Sequence, residues 1–148
     1  MIKIVCVGKI KEKFYRDAVD EYRKRLSKFI KLEIIEVNDE PSEIALKKEE
    51  VNILKHIKST DYVITLEIDG NSLSSYEFSK KLDNTLMINS NIVFVIGGSY
   101  GLGENIKSRS NYKLSFSKLT FPHQLFRVIL LEQIYRCFKI INNESYHK

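Results

Sequence analysis

Four of the chain's six glycines fall between positions 97 and 103: Gly97, Gly98, Gly101 and Gly103. They follow Ile92–Ile96, an unbroken β-branched and aromatic run that reads as a strand buried on both faces. Glycine admits positive φ and lets another group approach the main chain closely. A strand ending in such a run can therefore offer bare main chain to a ligand. Leu114–Phe121 is a second such stretch, a Ser/Thr-rich loop, and Pro122 marks the helix that follows it. Main-chain N–H and C=O groups from these loops and from Leu66 and Glu67 can read an adenine edge without charged side chains. Phe116, Leu119 and Phe121 can pack on the ring, or equally serve as plain core. The third candidate is the tail, Tyr146-His147-Lys148, which is polar, aromatic and basic at the place where chains commonly fray.

Other chemistries lose support on spacing. The dinucleotide fingerprint GxGxxG fails, because Ile106 stands where the third glycine after Gly101 and Gly103 belongs. No GK[ST] follows the glycines, which excludes a P-loop. Gly98-Ser99-Tyr100-Gly101 is not the GxSxG of a serine nucleophile. His56, His123 and His147 are scattered and share no ligand spacing with a cysteine or carboxylate, so no metal is expected. His56 reads as a surface residue, and His123 reads as structural before catalytic. Cys6 and Cys137 lie in strand and helix patterns without a CxxC partner and read as buried thiols.

The elements that must position these loops alternate in type. Strands are expected at Ile2–Val7, Lys31–Val37, Asp61–Ile68, Ile92–Ile96 and Tyr112–Phe116. The first helix, Lys11 to Lys28, carries a stripe of Phe14, Ala18, Val19, Tyr22, Leu26 and Phe29. The second, Ser42 to Lys58, carries a narrow stripe of Ile44, Val51, Leu54 and Ile57. Asp69-Gly70-Asn71 reads as a turn. Ser74 and Glu77 form a capping box for a helix reaching about Met87. A short helix near Glu104–Ser108 and a long one from Pro122 to about Ile141 complete the order. This βα alternation predicts an α/β fold with a mostly parallel sheet of five to six strands and helices on both faces. The last helix is apolar nearly all round, with Gln133, Arg136 and Lys139 as exceptions. Such a helix needs cover beyond one sheet face, and a homodimer packed through it is the simplest source.

At 148 residues the chain reads as one domain, residues 1–148. It has no 18-residue apolar run, and its N-terminal apolar segment is too short for a signal peptide; a cytoplasmic location is expected. The net charge of +5 is uneven. Residues 1–100 hold 16 cations and 16 acids, whereas residues 101–148 hold 8 and 3. A polyanionic partner such as nucleic acid would suit that excess, as would a merely solvated face.

Taken together, the motifs resemble one family along the whole chain. They are Val7-Gly8-Lys9, Ile64-Thr65-Leu66-Glu67, Phe94-Val95-Ile96-Gly97-Gly98-Ser99, the run from Leu114 to Gln124, Glu132-Gln133-Ile134-Tyr135-Arg136, and terminal Tyr146-His147. The sequence is similar to the small SPOUT-class methyltransferases, specifically the pseudouridine N3-methyltransferases of large-subunit ribosomal RNA. The resemblance implies a C-terminal trefoil knot, S-adenosyl-L-methionine as cofactor, a homodimer, and an active site shared between subunits. It implies cofactor contacts from Leu66, Gly97, Phe116, Ser117, Lys118, Leu119, Thr120 and Phe121. It implies Arg136, Tyr146 and His147 where RNA enters; the chemistry of methylating N3 then suggests that His147 or Tyr146 orients the base or accepts its N3 proton, and that Arg136 holds a phosphate or stabilises negative charge on the base carbonyls. The substrate would be 23S ribosomal RNA, in an assembled ribosome or large subunit. A non-catalytic RNA- or ribosome-binding module on the same fold is the alternative. The chain departs from the family pattern in a shorter segment around Asn38–Leu46, and in Asn142-Asn143 where a glycine is usual before the tail. Asparagine tolerates the left-handed conformation, so the tail is still expected to turn.

Overall fold

The computed structural model describes residues 1–41 and 44–148. Five strands alternate with five helices: β1 (Ile2–Val7), α1 (Lys13–Leu26), β2 (Leu32–Val37), α2 (Ala45–Leu54), β3 (Tyr62–Ser72), α3 (Ser75–Ile88), β4 (Ile92–Ile96), α4 (Glu104–Arg109), β5 (Tyr112–Ser115) and α5 (His123–Ile141). The strands form one parallel sheet in the order β2-β1-β4-β3-β5.

The period-two alternation of side chains divides the core into two layers. Ile2, Ile4 and Cys6 of β1, with Ile92, Phe94 and Ile96 of β4, face α1, α3 and α5. Val5, Val7, Val93 and Val95 face the other way, toward Ile53 of α2 and Ile106 of α4. The larger side chains thus meet the three long helices, and the valines meet the two short ones. The expected capping box is present: Ser74 Oγ accepts from Glu77 N–H at 3.1 Å, and Glu77 Oε1 accepts from Ser74 N–H at 2.8 Å.

Three expectations fail in whole or in part. Asp69-Gly70-Asn71 does not end a strand. β3 runs on to Ser72, with a register shift in which both Leu66 and Asn71 pair with Leu114. Gly70 lies so close to β5 that an added Cβ would sit 2.8 Å from the Lys113 carbonyl carbon. The stripe of α2 is half out of phase: Leu54 and Ile57 pack against the core, whereas Ile44 and Val51 do not. Ile44 and Val51 are 71% and 55% exposed, while Ala45, Glu49, Glu50 and Ile53 are buried. The two glutamates point inward because main-chain donors wait there. Glu49 accepts from Glu40 N–H at 3.0 Å, and Glu50 accepts from the main-chain and side-chain N–H groups of Asn105 at 2.9 and 2.7 Å. Glu50 thereby caps the start of α4 from a distance. The expected start of this helix at Ser42 lies outside the described residues. On α1, Phe14 is 63% exposed and stands outside the core that Val19 and Leu26 enter.

Candidate functional site

The carboxyl ends of three neighbouring strands, β4, β3 and β5, open on one cavity of about 440 Å³. Its walls are Leu66–Asp69 from β3, Ile96–Ser99 with Gly101 and Leu102 after β4, Leu114, Phe116 and Ser117 around the end of β5, and Leu119 to His123. Ligands of open α/β sheets bind at this place. The volume falls in the range of small-molecule sites.

Each wall has a local cause. Gly101 takes φ +74°, and its N–H donates to Gly98 O at 3.0 Å, closing the turn after β4. Gly97 must lack a side chain, since a Cβ would lie 2.6 Å from Gly101 O. After β5, Ser115 Oγ donates to Ser117 O at 3.2 Å, and Ser117 Oγ accepts from Leu119 N–H at 2.9 Å. The hydroxyls therefore fold the loop on itself and leave Leu119 71% exposed at the mouth. Phe116 is held between Phe78 and Phe126, at ring separations of 6.2 and 5.2 Å, so it is core and cavity floor at once. Of the residues expected here, Leu66, Gly97, Phe116, Ser117, Leu119, Thr120 and Phe121 line the cavity. Lys118 is exposed and does not.

His123 also lines the cavity. Its ring lies against Gly8, which takes φ +97°; a Cβ there would stand 2.9 Å from the ring. Its Nδ1 is buried without a hydrogen-bond partner. One turn further along α5, Arg127 is 1% exposed and donates to Glu36 at 2.6 Å and to Gly8 O at 3.0 Å. Glu36 also accepts from Ile10 N–H at 3.0 Å, and Gln124 accepts from Lys11 N–H at 2.9 Å. The start of α5 thus pins the loop after β1 beside the cavity. Sequence reasoning missed Arg127. Its signal was a lone cation on the apolar side of a helix, which demands a buried partner.

Arg136, Tyr146 and His147 come together, but away from the cavity. None of them lines it, and Arg136 lies ten residues beyond Phe126 on α5, about 15 Å along the axis. Asn143 takes φ +53°, so the asparagine does turn the tail. The tail folds back on α5. Glu132 Oε1 accepts from Arg136 Nε at 3.0 Å, from Arg136 Nη2, and from the Tyr146 hydroxyl at 3.3 Å. Glu132 Oε2 accepts from Gln133 at 2.9 Å, and Gln133 accepts from Ser75 Oγ at 2.9 Å. Arg136 Nη1 lies 3.0 Å from His147 Nδ1, and its guanidinium sits 4.8 Å over the Tyr146 ring. Tyr76 meets the His147 ring edge-on at 4.7 Å. Burial, then the Glu132 charge, pushes the Tyr146 hydroxyl up to about 12, so it is a donor at neutral pH. Glu132 was missed as well, although its i, i+4 spacing to Arg136 was legible.

Cys6 and Cys137 are free and buried, and desolvation pushes both thiols up to about 12. No helix among the described residues is long and apolar enough to cross a membrane.

Known proteins share this architecture. A probable methylase family protein from Haemophilus influenzae Rd KW20 superposes with a TM-score of 0.61 at 14% identity, over 99% of this chain and 70% of that one. A protein of Clostridium botulinum (strain Langeland) named ribosomal RNA large subunit methyltransferase H is 57% identical, over 99% of both chains. A protein of the same name from Caldicellulosiruptor saccharolyticus is 53% identical over all of both chains. The family model described as "Predicted SPOUT methyltransferase" matches residues 1–147. With a parallel sheet, a cavity at three strand ends and full-length relatives of this kind, the chain belongs to the SPOUT methyltransferase family.

Proposed function

We propose that this chain transfers a methyl group from S-adenosylmethionine to N3 of a pseudouridine in 23S ribosomal RNA. It does so as a single catalytic domain, in the cytoplasm, on the assembled large subunit or ribosome. The observation that carries the reading is the cavity at the carboxyl ends of β3, β4 and β5, walled by main chain and apolar side chains. The names of the full-length relatives support the RNA assignment. The trefoil threading of the chain beyond β5 belongs to the same reading and rests on family membership.

The cavity suits an adenosyl group. Leu114, Phe116 and Phe126 give an apolar floor, Gly97 and the 117–121 loop give main chain at its edge, and the unpartnered Nδ1 of His123 can meet a polar atom. Lys118 does not line the cavity and stands outside this set. When bound, S-adenosylmethionine supplies an activated methyl group on a sulfonium. The protein's part is alignment of acceptor and methyl, which lowers the entropic barrier. Arg136 offers a positive charge whose protonation its hydrogen bonds to Glu132 favour. That charge offsets the negative charge gathering on the base as its N3 proton leaves. Tyr146 and His147, which flank Arg136, orient the base.

A homodimer would join the two halves of this chemistry. Leu125, Ile129 and Ile140 are half-buried apolar residues of α5 that lie outside both core clusters. They share a helix face with Glu132 and Arg136 at i, i+3 and i+4 spacings. A second chain packed on this face would cover them and bring its own tail toward the neighbouring cavity.

Saturating S-adenosylmethionine should raise the melting temperature by about 5–10 °C, as expected at roughly 100 times Kd for a domain of this size. No shift would favour a module without catalysis. Mass spectrometry of 23S RNA from ribosomes incubated with the protein and donor should then show one added methyl on a pseudouridine. Gly97→Ala forces the turn apart at Gly101 O. It should weaken donor binding roughly tenfold or more and cost about 1–3 kcal/mol, read by calorimetry and urea unfolding.

A further inference from the structure

We infer that Glu132 and Arg136 fix His147 as a hydrogen-bond donor through Nε2, so that His147 does not accept the N3 proton. The inference rests on the methyltransferase reading above and deepens it.

The argument begins with what a guanidinium can do. It carries five N–H donors and no acceptor. Arg136 Nη1 at 3.0 Å from His147 Nδ1 therefore needs a lone pair on Nδ1. In a neutral imidazole the proton then sits on Nε2. The opposite tautomer would set two N–H groups against each other at that distance. Glu132 decides which edge of the fork is free: it takes Arg136 Nε and Nη2, leaving Nη1 for the histidine. Glu132 is held in turn by Gln133, and through it by Ser75 at the start of α3. Tyr76 packs edge-on to the imidazole at 85° and fixes its plane. The Tyr146 ring lies under the guanidinium and its hydroxyl also donates to Glu132. One carboxylate thus sets the orientation of all three tail-site groups, which makes Glu132 a positioning residue.

The chemistry follows. When N3 of the base loses its proton to solvent water, the negative charge spreads over N3 and the two flanking carbonyl oxygens. His147 Nε2–H donates to one of those oxygens, where its bond strengthens as charge develops. The N3 lone pair forms the new N–C bond to the methyl carbon, while the S–C bond breaks and its electron pair stays on sulfur.

Two measurements test this. Two-bond 1H–15N correlation on the histidine-labelled protein, with His147 assigned by its loss in His147→Gln, should show Nε2 protonated and Nδ1 bare. A proton on Nδ1 overturns the inference. The spectrum is taken on the protein alone, so it stands or falls separately from the RNA assignment. In methylation assays on ribosomal substrate, His147→Gln keeps an N–H donor but supplies no base. It should run at least about tenfold faster than His147→Ala, which should lose about 100-fold. Equal rates for the two variants overturn the inference. Glu132→Gln should lower kcat about tenfold with KM within about twofold, and should erase the Nε2 preference in the spectrum. An unchanged spectrum with unchanged kcat removes Glu132 from its positioning role.

Discussion

Leu125→Asp/Ile129→Asp should yield a folded monomer that still binds S-adenosylmethionine and has lost methyl transfer by at least about a thousandfold. The fold should survive because both residues stand outside the core clusters. Donor binding should survive because neither Leu125 nor Ile129 lines the cavity. Transfer should fail because the Arg136–Tyr146–His147 group of the same chain lies well down α5 from that cavity. Sedimentation, calorimetry and a methylation assay read the three parts separately. A sharper form uses two inactive chains carrying different tags, His147→Ala and Gly97→Val. The purified heterodimer has one site with both defects and one with neither, so it should recover about half of wild-type activity. An inactive heterodimer would mean that each chain works with its own tail.

Arg127→Ala should destabilise the protein by about 3 kcal/mol, a large share of the 5–15 kcal/mol typical of a domain. Breaking a buried pair commonly costs about 3–5 kcal/mol; the lower end applies here because the Glu36 side chain is 35% exposed and keeps some water. The substitution also strips Gly8 O of its donor and empties the space that the buried side chain fills. Arg127→Met fills that space and should recover much of the loss, since burying a cation is itself expensive. Urea unfolding of the three proteins gives the order wild type, Met, Ala. A Met variant no more stable than Ala would place the weight on the Gly8 bond instead of on packing.

The parts of the fold that were legible are those where a local rule and the tertiary need agree. Ile92–Ile96 could only be a central strand, and Ser74 with Glu77 could only open a helix. The cavity was legible for the same reason: glycines and Ser/Thr loops leave main chain bare where strands end. What was not legible depends on partners distant in sequence. Glu49 and Glu50 face inward because donors at Glu40 and Asn105 lie there, and no periodicity reports that. Asp69-Gly70-Asn71 has turn composition, yet Asn71 donates to Lys113 O at 3.1 Å and keeps the strand going. The tail group was named from resemblance. The carboxylate that organises it emerged only when Glu132, Arg136 and Tyr146 were seen around one oxygen.

The pairing of β1 with β4 has a consequence for the protein's own birth. Ile2 lies beside Ile92, so the first strand made waits for the chain to grow by ninety residues before it gains this neighbour. At bacterial and eukaryotic synthesis speeds that delay is on the order of ten seconds. Of the three long helices on one face of the sheet, α5 comes later still, ending at Ile141. A nascent copy therefore keeps its central hydrophobic layer incomplete until α5 has been made.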